Sequence, residues 1–380
     1  MRKNIIIFII TLVLTLFFPS FVNADNCGGT RQCHCGDWLV ESQTMWYDLT
    51  NCSEHGLEIV GLNVVLDCDG HLIDGDGSAT PYDTGILVGA MDTVTNCNVQ
   101  QFYNGITISK GSSNNTIAYN SVQDNSWFGI YLGILSENNV IYSNIITNND
   151  VAGIDVDEST NNDLWNNIFV NNGINAYDGG GLNNWNVSEV GNSWSDFSSN
   201  PGYPDYYEVS GGGDSIDWHP GVVEFYIDNS DSEFTILSGN WGSRNIINAY
   251  NGETRYNNPG FGLEKAGWKV NNLIFPGTYD VYVWKFESEY SASMGTNVHY
   301  MVYHRLGTSN WILVDQSTPG NGWVYLGEFE FDNSHGQGIM ITDEADGRVA
   351  ADAIKLVYTE PLTNAELSSG VDMFDYEFSK

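Results

Sequence analysis

Apolar residues recur along the first half of the chain at two periods at once. Within short segments they alternate, as in Gly85-Ile-Leu-Val88, Gly105-Ile-Thr-Ile108, Gly129-Ile-Tyr-Leu132 and Gly153-Ile-Asp-Val156. The glycines opening these segments are 20, 24 and 24 residues apart. A second set lies between them: Thr116-Ile-Ala-Tyr-Asn120, Val140-Ile-Tyr-Ser-Asn144 and Asp163-Leu-Trp-Asn-Asn167. Extended backward, its last position becomes a column of Cys68, Cys97, Asn120, Asn144 and Asn167, with steps of 29, 23, 24 and 23. A short strand with one apolar face cannot bury that face alone. Stacking each repeat on the last, ~4.8 Å away, buries the face and pairs the backbone. Period two excludes a helical repeat of similar length.

The pattern therefore predicts an all-β chain that opens with a right-handed parallel β-helix of about six coils, over roughly residues 38–220. A cysteine-rich cap from residue 25 precedes it. Ile86/Val88, Ile106/Ile108, Ile130/Leu132 and Ile154/Val156 are expected to point inward. So are Val65, Val94, Ile117, Ile141 and Leu164, and then Val99, Val122, Ile146 and Phe169. The Asn column is expected to stack its amides in a hydrogen-bonded ladder.

From Val222 the fixed period disappears. Tyr279-Asp-Val-Tyr-Val-Trp284, His299-Tyr-Met-Val-Tyr303, Trp323-Val-Tyr-Leu326 and Ala353-Ile-Lys-Leu-Val357 alternate, with turn signals such as Pro276-Gly277 and Asp346-Gly347 between such runs. Residues 221–360 read as a jelly-roll-like β-sandwich, and 361–380 as a tail.

The coil pattern Gly-Ile-x-Ile with Asn-Asn-x-Ile-x-x-Asn, closed by Gly191-Asn-Ser-Trp-Ser-Asp-Phe197, resembles the NosD-like, carbohydrate-binding and sugar-hydrolase group of β-helices. The second half resembles the golvesin-type domain also found on xanthan lyases. Ile227-Asp-Asn, Pro276 to Trp284, Gly322 to Gly327, Thr342-Asp343 and Val349-Ala-Ala-Asp-Ala-Ile-Lys-Leu-Val357 carry that likeness. It implies accessory, carbohydrate-binding-like recognition at an extracellular surface. The first resemblance implies the fold and leaves enzyme, binding protein and surface protein open.

Composition narrows the partners. Thirteen basic against 48 acidic residues give a net charge of −35, a field that repels nucleic acid and anionic membranes. Arg2-Lys3, the apolar run Ile5–Phe18 and Val22-Asn23-Ala24 read as a signal peptide cleaved after Ala24, with no membrane span beyond it and a secreted or cell-surface destination. Cys27, Cys33, Cys35, Cys52, Cys68 and Cys97 are then expected to form disulfides, with the pairing open among 15 possibilities.

Candidate chemistry is sparse. A lyase needs cations beside its base, and Lys110 is the one basic residue between Arg31 and Arg244. An inverting hydrolase needs two carboxylates ~6.5–9.5 Å apart. Asp155 and Asp157 share an outer strand face, with Asp178 one coil along and Tyr131 and Trp127 one coil back. These are the candidate catalytic and sugar-contacting residues. Trp241 and Trp268, in Gly- and Asn-rich surroundings, are candidate exposed platforms for pyranose rings. Asp67, Asp69, Asp74 and Asp76, interleaved with glycine, are a candidate calcium run or a set of turn formers. The histidines are scattered and make no copper cluster. The reading that follows is an exported protein that binds an extracellular or cell-surface polysaccharide without catalysis and requires no cofactor, calcium being the possible one. A glycoside hydrolase or calcium-dependent lyase on the β-helix face, and a structural or adhesion protein, are the alternatives.

Overall fold

The structure, a computed structural model, describes residues 25–362 apart from 79, 271–274, 288–290 and 333–335. Residues 1–24, read above as a signal peptide, and those beyond 362, read as a tail, lie outside the described residues.

The first half is a stack of coils whose strands form three parallel sheets of eight, seven and six strands. The eight-stranded sheet starts at Asn26–Cys27 and ends at Ile174–Asp178, so the stack has about seven turns and includes the cysteine-rich segment. One coil reads Asn104–Ile108, Thr116–Ala118, Ser121–Gln123, and the next begins at Phe128–Leu132. Ile86, Ile106, Ile130 and Ile154 stack in register and are fully buried. Each such side chain is worth roughly 1.5–3 kcal/mol in burial, so the repeat carries its own stabilisation.

The first coil departs from the expected register. Leu66, not Val65, sits on Val94 and is buried, while Val65 is exposed. The later coils spend one left-handed residue before the corner position: Asn96, Tyr119, Ser143 and Asn166 all have φ near +55 to +60°. The coil ending at Cys68 lacks that residue and reaches its corner one position sooner. A one-residue slip flips every side chain to the other face.

Three amide ladders, rather than one, run along the stack. Asn115, Asn139, Asn162 and Asn183 form the first; Asn120, Asn144, Asn167 and Asn192 the second; Asn125, Asn149 and Asn172 the third. Each step is a side-chain Nδ2 donating to the next Oδ1 at 2.9–3.0 Å. The Asn-Asn doublets have a simple division of labour. In Asn114-Asn115, Asn138-Asn139, Asn148-Asn149, Asn161-Asn162, Asn166-Asn167 and Asn171-Asn172 the first residue takes positive φ at the corner and the second turns inward onto the ladder.

The disulfides are Cys27–Cys33, Cys35–Cys52 and Cys68–Cys97. The last bridges two positions of the second ladder's own column, and Cys97 N–H then donates to Asn120 Oδ1. At the other end Phe169, Trp194 and Tyr207 stack at 4.4 and 4.0 Å and close the core.

The second half is antiparallel. A four-stranded sheet runs Glu224–Asp228, Ala353–Pro361, Gly277–Lys285, Gly322–Phe331. It packs on a six-stranded sheet that includes Phe234–Ser238, Lys265–Lys269, Gly338–Thr342 and Val298–His304. Tyr279, Val281, Ile354, Leu356, Trp268, Tyr300 and Ile341 form the core between them. Val170 of the last coils is part of that cluster, and Tyr358 Oη donates to Asn171 Oδ1 at 2.6 Å, so the halves are joined by packing as well as by chain.

Candidate functional site

Strand alternation turns one residue in each coil of the eight-stranded sheet outward. These stack as Leu87, Thr107, Tyr131, Asp155 and Tyr177. The residues at the preceding corner add rings beside the column. Trp127 stacks on Tyr103 at 5.2 Å and 10°, touches Phe128 edge-on at 5.6 Å, and Phe128 stacks on Tyr131 at 5.5 Å and 20°. Tyr131 Oη donates to Asp157 Oδ2 at 3.1 Å. The outcome is a continuous track of Tyr103, Trp127, Phe128 and Tyr131 ending on Asp155, Asp157 and Tyr177. Trp127 is 39% and Tyr177 37% exposed, so the track is open to a ligand.

Burial, then the charges of Asp157 and Asp178, push the Asp155 carboxyl up to about 6. Burial, then Asp157, push the Tyr131 phenol up to about 12, so it is a hydrogen-bond donor throughout the physiological range. A raised carboxyl beside a second carboxylate is the pattern of a general acid. It is also a local cost. Asp155 ionises less readily in the fold than in the unfolded chain, so the native state holds more protons above pH 3.8 and its advantage shrinks as pH rises toward 6. Asp155→Asn is therefore expected to raise the melting temperature at pH 8 relative to wild type and to leave it unchanged near pH 3.5. Paired thermal melts across that range check it.

The other sequence candidates lie elsewhere. Asp178 is one coil along but occupies the inward position of Val156, fully buried, and accepts hydrogen bonds from Gly180 N, Gly181 N, Asn183 Nδ2, Trp185 Nε1 and Ser215 Oγ. It is a closing group of the stack and faces no substrate. Trp268 is fully buried against Phe234, and Trp241 is buried too; neither is an exposed platform. Trp268 lies in a central strand of the six-stranded sheet, where glycine neighbours leave room for packing rather than for solvent. Asp67 binds Asp69 N and Asn96 Nδ2, Asp74 binds Gln100 Nε2, and Asp76 binds Ser78 N. Asp67, Asp74 and Asp76 are turn and cross-coil acceptors, and Asp69 takes positive φ at its turn. Among the described residues no three His, Cys, Asp or Glu side chains converge on a common point.

Sequence reasoning missed a second aromatic surface, on the outer face of the four-stranded sheet. Tyr226, Lys355, Tyr282 and Tyr325 are paired across its strands, with Trp284 opposite Trp323 two residues on. Lys355 Nζ lies 4.9 Å from the Tyr282 ring centre and 5.6 Å from that of Trp323, and Tyr250 packs on Tyr226 at 5.9 Å. The signal was present in the alternation of Tyr282/Trp284 and Trp323/Tyr325 against Val281/Val283. It could not say which face would be covered. A polar cleft of about 440 Å³, lined by Asn171, Asn175, Ser195, Asp196 and Tyr207 among others, with Thr359 of the second half at its side, opens next to the Ile174–Asp178 strand.

A parallel β-helix closed by an aromatic stack and followed by an antiparallel sandwich defines the class. Residues 64–199 match the family model described as periplasmic copper-binding protein (NosD), and residues 225–358 match the Golvesin C-terminal domain. The chain is thus a β-helix similar to NosD followed by a domain similar to the golvesin C-terminal domain. No curated protein matches its sequence. Among solved structures, Paenibacillus xanthan lyase is 29% identical at a TM-score of 0.32, over 40% of this chain and 15% of that one. The enzymatically active domain of bacteriophage CBA120 tailspike protein 2 is 11% identical at 0.26, over 84% and 60%. The phiAB6 tailspike, solved with oligosaccharides of Acinetobacter baumannii surface polysaccharide, is 12% identical at 0.19, over 85% and 81%. The copper of the family's name does not fit the residues present. All six cysteines are in disulfides, and among the described residues no metal-ligating cluster of three forms.

Proposed function

We propose that this chain is an exported glycan-binding protein whose β-helix track, from Tyr103 through Trp127 to Tyr131, holds a polysaccharide along the rod. The carrying observation is the run of stacked, part-exposed rings that ends on two outward carboxylates. Rings stack against the apolar faces of pyranoses, and Asp155, Asp157 and the Tyr131 hydroxyl meet sugar hydroxyls. With net charge −35 the surface selects uncharged sugars over uronate or phosphate polymers. Three disulfides fit life in an oxidising compartment outside the cytoplasm. The aromatic face of the sandwich gives the rod a second point of contact.

The test is a glycan array with the full chain, followed by titration of any hit against Trp127→Ala and Tyr325→Ala. Base stacking on single rings suggests about 1–3 kcal/mol for a sugar contact of the same kind, so Trp127→Ala is expected to weaken binding about 5- to 150-fold. A chain that binds no glycan, or binds it unchanged without Trp127, overturns the reading.

A second reading has its own observation. Asp155, raised to about 6, and Asp157, two strand positions on, form the acid and base of an inverting hydrolase. Reducing-sugar release from a bound glycan, falling above pH 6 and lost in both Asp155→Asn and Asp157→Asn, is the result this reading expects. Stable, uncleaved complexes reject it.

A further inference from the structure

The polar cleft beside the last strand of the eight-stranded sheet has no part in the glycan track, yet two columns of that sheet lead into it. The outward column continues past Asp155 and Tyr177 to Ser210, which pairs with Tyr177 where the next coil would stand. The corner column begins with the stacked rings of Tyr103 and Trp127. The same register carries it on to Val151 and Gly173, each one place before the paired positions Asn104, Phe128, Ala152 and Ile174. Ser210 and Gly173 both line the cleft. Along the corner column the side chains therefore shrink from indole to isopropyl to hydrogen as the cleft is approached.

Both columns end at this point. Ile174–Asp178 is the last strand of its sheet, and Ser210 is a single bridging residue beyond it. The second half stands against the same spot, where Tyr358 Oη donates to Asn171 Oδ1 and Thr359 lines the cleft. The lining suits a neutral polyol. At about 440 Å³ the volume falls within the ~300–1,000 Å³ of small-molecule sites. Hydroxyls and amides dominate, and among the described residues no lysine or arginine lines it. Asp196 is fixed in advance, accepting Asn175 Nδ2 at 2.7 Å and Tyr207 Oη at 3.0 Å, so its carboxylate needs no ordering when a ligand arrives. Ser198 and Ser210 are exposed.

We infer that the cleft seats the terminal sugar of the glycan held on the Tyr103–Tyr131 track, so that the protein recognises a chain end and not only a chain. The inference rests on the glycan reading and adds to it a direction and a stop. One coil step, ~4.8 Å, is close to the length of one pyranose along an extended chain, so the cleft lies about two sugars beyond Trp127. Rings on the track hold the apolar faces of internal sugars. A terminal sugar carries one more free hydroxyl than an internal one, and the serine hydroxyls and the Asp196 carboxylate can donate to it and accept from it.

The experiment uses the full chain and the linear neutral oligosaccharide it selects on a glycan array. That oligosaccharide is titrated in three forms: free, capped at the reducing end as an alkyl glycoside, and capped at the non-reducing end by a methyl ether. One capped form is expected to bind wild type about tenfold more weakly than the free form, and the other to bind as the free form does. Ser210→Trp, which fills the cleft from an exposed position, is expected to weaken the free form by a similar factor and to bind all three forms alike. Equal binding of the three forms to wild type overturns the cleft, whether or not the variant folds. So does unchanged binding of the free form to Ser210→Trp. If Trp127→Ala still weakens binding in either case, the track stands without the cleft. An array on which the chain selects no glycan removes both.

Discussion

Asp178→Ala is expected to destabilise the rod by about 4 kcal/mol, read as the shift of the tryptophan-reported transition in chemical denaturation. Five donors converge on this one carboxylate, at 2.7–3.0 Å: Gly180 N, Gly181 N, Asn183 Nδ2, Trp185 Nε1 and Ser215 Oγ. A buried donor left without an acceptor costs ~1–3 kcal/mol, and not all five can find water in the space of one lost carboxylate. Its position explains why an acceptor-rich side chain stands here. In every ladder the amide nitrogen points toward the following coil, so the aligned dipoles leave a donor end at the last coil. Each ladder ends on an aspartate there. Asn183 meets Asp178, Asn192 meets Asp217 at 2.7 Å from its backbone N–H, and Asn172 reaches Asp196 by way of Asn175. The arrangement parallels a carboxylate at the positive end of a helix. A change below 1 kcal/mol in Asp178→Ala would show that the ladders need no such closure.

Asn144→Ala is expected to cost about 3 kcal/mol by the same measurement, while Asn138→Gly changes stability little. Asn144 is fully buried, and its amide is in use on both sides. Oδ1 accepts Asn120 N and Nδ2 at 3.0 Å, and Nδ2 donates to Ile117 O, Tyr142 O and Asn167 Oδ1 at 2.9–3.1 Å. Alanine leaves a void and unpaired groups in two neighbouring coils. Aspartate is expected to be worse, since it offers an acceptor to three acceptors. Asn138 is exposed and holds φ at +56°, a conformation glycine adopts freely. Equal effects at 138 and 144 would remove the distinction between corner and ladder positions.

The fold was legible because a 23–24-residue period can be counted, and counting needs no knowledge of what packs where. The same arithmetic placed Asp155, Asp157, Tyr131 and Trp127 together, since outward positions of stacked strands inherit one another's neighbours. It went astray where the coil changed length. Val65 was assigned from Cys68 by a corner one residue longer than the real one. Asp178 shares the column of Val156, and alternation alone puts it inside. In the sandwich no period ties one strand to the next. Trp241 and Trp268 were therefore judged by local composition, which reports flexibility and not burial. The Tyr226–Lys355–Tyr282–Tyr325 row needs four strands, distant in sequence, to be laid side by side before it exists.

Because the coils share one register, their number sets a length. Duplicating a single repeat would carry the C-terminal sandwich ~4.8 Å farther from the disulfide-bonded end without altering any existing contact but the one at the splice. The rod thus acts as a ruler, and the reach between its two ends can be lengthened or shortened in whole steps by gaining or losing one repeat at a time.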